Sequence, residues 1–351
     1  MNNYYDYAAS TPVSEAVSSA MQPWQSESFA NPSADHAAGV KASQAIQEAR
    51  EIIADKIGAM PSEIIFTSGA SEANNLAIKG VAFQFLNEKC HIITSSIEHK
   101  CVLNTCDFLE KLGFDVTYIQ PNRDGLISPN EVKKAIQENT KLISIHHVNN
   151  ELGTIQPISE FGEIAIEHGI LFHTDAAQSF CKLNIDVDDM DIDFLSLSGH
   201  KIYGPKGIGA LYVRDARDSE LVPLIHGGGQ ELGLRGGTSP TPLIIGLAAA
   251  VQYFPENTAD SVEVFQDKLF QYSCVRNGGN EVLPTILNIT FSSLEDVKKF
   301  KVDNEWLISQ GSACNAMSNV ASHVLSNIGL SEEEARLTYR ISLPPFRLII
   351  D

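Results

Sequence analysis

Lys201 stands at the lip of an apolar stretch in DFLSLSGHKIYGPKGIG (193–209), an uncommon place for an ammonium group. A lysine whose pKa is lowered by desolvation and by neighbouring cations can form a Schiff base with an aldehyde. The same position also suits a lysine that snorkels at a strand end, so the other reactive groups must discriminate. TSGASEANN (67–75) runs from a short apolar strand straight into a helix. Small residues there let backbone amides approach an anion at a helix N-terminus. It is neither a Walker A loop nor a dinucleotide fingerprint, and it reads equally as a helix start capped by Ser71.

Asp175 follows ILFHT and precedes Ala177 and Gln178. A carboxylate at that point can hold a pyridinium nitrogen protonated and so make the ring an electron sink, or it can cap a helix. Gln178 is placed to reach the ring's phenolic oxygen. His99, in SIEHK (96–100), can stack on a flat ring or serve the structure alone. Each signal is ordinary, but all four groups fall just past strand ends, and together they make up the needs of a pyridoxal phosphate site.

The elements that position these groups follow an alternating pattern. Apolar runs at 64–67, 92–94, 116–119, 142–148, 170–174, 194–198 and 208–213 read as strands, and helices at 71–87, 100–112, 128–139 and 159–168 separate most of them. A long helix over 37–57, closed by Gly58, comes before them. Ser128, Pro129 and Glu131 combine a capping box with proline at the first helical position. The fold class is therefore α/β, with a seven-stranded, mostly parallel sheet covered on both faces and ligands expected at the strands' carboxyl ends. Beyond residue 255 the pattern becomes helix 258–272, strand TILNITF, helix 294–301, strand WLIS, helix 318–328 and strand YRISL. This is a smaller α+β unit. The expected division is a large domain over 13–254 and a small one made of 1–12 with 255–351.

The chain has 351 residues, 25 of them basic and 44 acidic, for a formal charge of −19. That balance disfavours direct contact with nucleic acid or an anionic membrane. There is no signal-peptide pattern, and the longest apolar run, LIIGLAAAV (243–251), is too short to span a bilayer, so a cytoplasmic location is expected. Cysteines 90, 101, 106, 181, 274 and 314 show no CxxC or metal-type spacing, and no metal is expected. Five of them sit in helical, strand or apolar contexts suited to packing. Cys314 lies among small and polar residues, SQGSACNAMS (309–318), which reads as an exposed loop where a thiol can ionise and reach a substrate.

FTSGASEANNLAIKG, SSIEHK, HHVNNELGTIQPI, HTDAAQS, LSGHKIYGPKGIGALYV, HGGGQELGLRGGTSP and SQGSAC resemble the successive motifs of the NifS/IscS-type cysteine desulfurases in the class V aminotransferase family. The resemblance runs from DYAASTP (6–12) to RISL (340–343). It implies fold type I of the pyridoxal phosphate-dependent transferases and an internal Schiff base on Lys201 beneath a stacked His99. Asp175 would lie at the ring nitrogen, with Gln178 and Asn149 at the phenolic oxygen or substrate. Gly69, Ala70, Ser71, Ser198 and His200 would hold the phosphate, with Thr238 supplied by the partner subunit of a homodimer. Asn31 and Arg340 would bind the substrate carboxylate.

The implied reaction converts L-cysteine to L-alanine and leaves a persulfide on Cys314, from which sulfur passes to an acceptor or scaffold protein. Iron–sulfur assembly, tRNA thiolation and DNA phosphorothioation are the routes open to it. A selenocysteine lyase, another class V enzyme, or a partner-binding component with vestigial catalysis are the alternatives. The chain departs from the usual members in stopping at PPFRLIID and in a short stretch between TILNITF and WLIS, so an altered docking surface is expected.

Overall fold

The computed structural model describes residues 3–255, 262, 269, 271–310 and 322–346. Helices α1 (Glu15–Ser26) and α2 (Ala37–Asp55) lead into β1 (Ile64–Thr67), α3 (Ala70–Ala82), β2 (His91–Ser95), α4 (Lys100–Lys111) and β3 (Asp115–Ile119). Next come α5 (Pro129–Ala135), β4 (Thr140–Ser144), α6 (Ile158–His168), β5 (Leu171–Asp175), β6 (Phe194–Ser198), β7 (Gly209–Val213) and α7 (Thr241–Gln252). The seven strands form one sheet in the order β1-β7-β6-β5-β4-β2-β3. β2 to β6 pair in parallel, and β7 runs antiparallel to both β1 and β6.

Neighbouring residues of one strand serve opposite faces, as the pleat requires. Phe66, Ile93, Ile143, Phe172, Leu195 and Tyr212 join α1, α2, α5, α6 and α7 in one core, and Ile65, Ile92, Leu142, Phe194 and Leu211 join α3 and α4 in the other. Both faces are covered, which is why these strands read as continuous apolar runs.

Three-stranded antiparallel pairing, β10-β9-β8, follows in β8 (Cys274–Asn277), β9 (Ile286–Phe291) and β10 (Thr338–Ser342). This sheet has a core of its own, with Leu287, Ile289, Phe291, Phe300, Tyr339 and Ile341 at its centre. The N-terminal segment lies along it: the Ser342 amide donates to Tyr5 O at 2.8 Å and the Tyr5 amide to Leu307 O at 3.0 Å.

Several local expectations need correction. Ser128 is the N-cap residue of α5, but its hydroxyl makes no cap bond, and Glu131 pairs with Lys134 at 2.7 Å instead, so there is no capping box. The helix ends at Ala135, well short of 139. WLIS is not a strand: Leu307 and Ser309 make only isolated bridges, to Tyr4 and Arg340. The exposed strand β8 has too little apolar pattern to be read from sequence. The 258–272 helix and the start of the 318–328 helix fall largely outside the described residues, where His323–Asn327 is helical.

Candidate active site

A cavity of about 420 Å³ opens at the carboxyl ends of the parallel strands, within the roughly 300–1,000 Å³ typical of small-molecule sites. Gly69, Ala70, Ser71, His99, Asp175, Gln178, Ser198, His200, Lys201 and Arg340 all line it. β6 ends at Ser198, and a single 3-10 turn, Gly199–Lys201, brings the lysine into the cavity. Lys201 Nζ donates to Ala8 O at 2.5 Å and to Ala9 O at 2.9 Å. The N-terminal segment is fastened over this turn, because the amide and hydroxyl of Thr11 both donate to His200 O, at 2.9 and 3.0 Å.

The anion cradle begins at Gly69, the N-cap residue of α3, whose φ of +150° an L side chain rarely adopts. Gly209 lets this loop close on β6. A Cβ there would stand 2.3 Å from Leu197 O and 2.7 Å from Gly69 Cα. The loop is braced by Glu72, which accepts from the Ser68 amide at 2.8 Å and pairs with Arg235 at 2.9 Å. Burial, followed by the positive charges of Lys201, Lys206 and Lys182, pushes His200 down to about 4. It is therefore a neutral imidazole at pH 7.

Asp175 ends β5. Its Oδ1 accepts from the Ala177 amide at 2.9 Å and its Oδ2 from Asn74 Nδ2 at 2.6 Å. Asn74 Nδ2 also reaches Cys101 Sγ at 3.2 Å, and its Oδ1 is buried with no partner. His99 caps α4: its Nδ1 accepts from the Cys101 amide at 3.2 Å and lies 3.0 Å from the Cys101 thiol. Nδ1 is thus an acceptor, and the proton of the neutral ring belongs on Nε2. Burial lowers the His99 pKa despite the opposing charge of Asp175, and the ring presents a neutral face. Burial and the same carboxylate push the Cys101 thiol up to about 12, so this cavity-lining cysteine is a poor nucleophile.

Arg340, on β10, is fully buried. It pairs with Asp6 at 2.6 Å and donates to Asn150 O at 2.8 Å, while its Nε has no partner. Asn149 is held by its own turn. Its Nδ2 donates to Ile97 O at 3.0 Å and its Oδ1 accepts from the amides of Glu151 and Leu152, both at 2.9 Å, so its side chain builds the turn. It does not line the cavity. Asn31 and Thr238 lie together in a separate hollow beside Trp24, Phe29 and Pro32. Cys314 lies outside the described residues. Of the residues that flank its segment, Ser309 exchanges backbone hydrogen bonds with cavity-lining Arg340 at 2.8 and 3.2 Å, and the Ser322 hydroxyl donates to buried Glu151 at 2.5 Å.

Sequence reasoning missed Asn74, Cys101, Lys206 and Lys182. Only Lys206, inside the glycine-flanked GPKG, had a visible signal.

The residues present fit pyridoxal phosphate: a lysine, a carboxylate held by two donors, a neutral stacking imidazole and a side-chain-free helix start converge on one cavity. The comparisons agree with this geometry. The class V aminotransferase domain matches residues 3–344, and the chain belongs to that family. It is 45% identical to the cysteine desulfurase IscS of Rickettsia rickettsii (strain Iowa), over 98% of this chain and 86% of that protein. Among solved structures, "SspA in complex with cysteine" aligns with a TM-score of 0.96 at 68% identity, covering 99% of this chain and all of that one. DndA from Streptomyces lividans aligns with a TM-score of 0.81 at 35% identity, over 96% and 98%. Within the family this chain is a NifS/IscS-type cysteine desulfurase.

Proposed function

We propose that the cavity holds pyridoxal 5'-phosphate and turns L-cysteine into L-alanine, with sulfur passing to Cys314 as a persulfide and then to an acceptor protein. The convergence of Lys201, Asp175, His99 and Arg340 on one cavity carries this reading. When bound, the cofactor supplies an aldehyde for Schiff-base exchange and a ring that accepts electrons from the substrate's Cα. Lys201 would hold the cofactor and, as a free amine, would move the Cα proton with Nζ. Asp175, preorganised by Asn74 and the Ala177 amide, keeps the ring nitrogen protonated. Gly69, Ala70, Ser71, Ser198 and neutral His200 hold the phosphate at the start of α3. Arg340 offers a planar, always-charged fork to the substrate carboxylate, and its unpartnered Nε marks spare donor capacity.

The hollow that gathers Asn31 and Thr238 supports a homodimer in which Thr238 reaches the partner subunit's phosphate site and Asn31 approaches substrate. The likeness to SspA and DndA supports DNA phosphorothioation as the destination of the sulfur among the three routes. Among the described residues no helix is long and apolar enough to cross a membrane, and the charge of −19 favours a protein as the acceptor. The reading is tested by borohydride reduction of protein loaded with pyridoxal phosphate. Wild type becomes covalently labelled and Lys201→Ala does not, whereas equal labelling would remove Lys201 from its role.

A further inference from the structure

Among the described residues, Lys182 is an unusual charged group that does not line the cavity. It is 3% exposed, set among Phe180, Cys181 and Leu183, which are equally buried. Among the described residues it makes no ion pair, and its hydrogen-bond partner is Gln178 Oε1 at 3.0 Å. An ammonium buried without a carboxylate is costly, so something must hold it there. The segment after β5 makes successive turns, with the Phe180 amide on Ala176 O and the Leu183 amide on Ser179 O. Cys181, at φ +64°, breaks any helical path between them, and the reversal brings Lys182 back against Gln178.

An ammonium group can only donate. Gln178 must therefore turn its oxygen toward Lys182, and its Nε2 faces the other way, donating to Ala8 O at 2.9 Å. Ala8 O is the same carbonyl that accepts from Lys201 Nζ. Lys182, Gln178, Ala8 and Lys201 thus form one continuous chain of hydrogen bonds ending at the lysine of the cavity.

We propose that Lys182 is a positioning residue for the reaction: it locks the Gln178 amide with its donor toward the cavity and, while protonated, lays a positive charge behind the Lys201 end of the site. This rests on the reading of the cavity as a pyridoxal phosphate site. The titratable groups that act on Lys182 are Lys201 and His200 from the turn after β6, and Cys181 beside it. Burial first, then the charge of Lys201, pushes its own pKa down to about 7. A cation behind the site lowers the proton affinity of Lys201 Nζ itself. A fixed amide donor at the phenolic oxygen would draw negative charge away from the nitrogen and so act in the same direction.

The test is a pH titration of the visible absorbance of the pyridoxal phosphate-loaded enzyme. In Lys182→Met, which keeps the length and loses the charge, the midpoint moves upward by half a unit or more, roughly threefold in proton affinity. Lys182→Gln, a second neutral variant, gives the same direction. In Lys182→Met/Gln178→Ala the shifts are smaller than the sum of the single shifts, because both act through one amide. Thermal unfolding of the Met variant holds or rises, since a lone buried charge has gone. An unshifted midpoint in both single variants with a normal visible band, or fully additive shifts, would overturn the positioning role alone. Wild-type enzyme that forms no visible band with pyridoxal phosphate would overturn the cofactor reading, and this role with it.

Discussion

Gly209→Ala is the perturbation whose consequence follows most directly from the geometry. Gly209 opens β7, opposite Ser198 of β6 on one side and Thr67 of β1 on the other. The added methyl would meet backbone on both sides, Leu197 O at 2.3 Å and Gly69 Cα at 2.7 Å, where about 3.5 Å is comfortable. Neither neighbour is a flexible side-chain end, so roughly 1 Å of separation must open between strand and loop. Overpacking of this kind costs about 1–3 kcal/mol, and the rigid surroundings place this site near the upper figure. With an unfolding entropy of about 2.1 cal/mol/K per residue, a chain of this length loses about 4 °C in Tm for ~3 kcal/mol. The same displacement moves Gly69 and the start of α3, so pyridoxal phosphate should dissociate at least tenfold more readily. Differential scanning fluorimetry and equilibrium dialysis read the two effects. Gly169→Ala is the control: its φ of +63° is strained for alanine, yet nothing lies within 4 Å of the new Cβ. It should cost about 1 kcal/mol and leave cofactor affinity alone. Wild-type Tm and cofactor affinity in Gly209→Ala would refute the claim that this close approach builds the cradle.

Further outcomes are expected. Arg340→Lys loses the planar fork and its hold on Asp6, and should raise KM for L-cysteine about 10–100-fold with a smaller change in kcat; an unchanged KM would place the substrate carboxylate elsewhere. At pH 8 the Cys101 thiol, pushed up to about 12, should react with iodoacetamide about a thousandfold more slowly than an unperturbed thiol of pKa about 8.5, and mass spectrometry that finds it among the first labelled would contradict its burial. The pKa of Lys182 in the folded chain, about 7, lies below its unfolded value. Between about pH 7 and 10 the unfolded state therefore binds the extra proton, and this residue's contribution to stability rises with pH. The stability gap between Lys182→Met and wild type should narrow over that window in urea titrations, and a gap that widens would reverse the sign.

Much of this site is legible in the sequence because its groups follow short apolar runs whose ends are set by local pattern. Lys201, Asp175 and His99 fall just beyond β6, in β5's last position and beyond β2. What escapes are the residues whose roles exist only through distant contacts. Asn74 looks like any polar residue in a helix until folding puts it against Asp175, a hundred positions away. Lys182 reads as a surface lysine, and only the packing of the turn after β5 buries it against Gln178. Asn149 has a role of the same kind: its type and motif imply contact with ligand, and only the fold shows that the neighbouring amides of Glu151 and Leu152 hold its oxygen and orient its amide. WLIS has strand composition without strand pairing, because the N-terminal segment and β10 each meet it at a single bridge.

The central claim is that Lys201 begins the chemistry and the Cys314 thiol receives the sulfur. A Cys314→Ser enzyme loaded with pyridoxal phosphate and mixed with L-cysteine measures it directly, through its visible absorbance and through the alanine, sulfide and persulfide formed. A normal cofactor band, no protein persulfide and no sulfide release are expected. Undiminished sulfide and alanine production by that variant would contradict it.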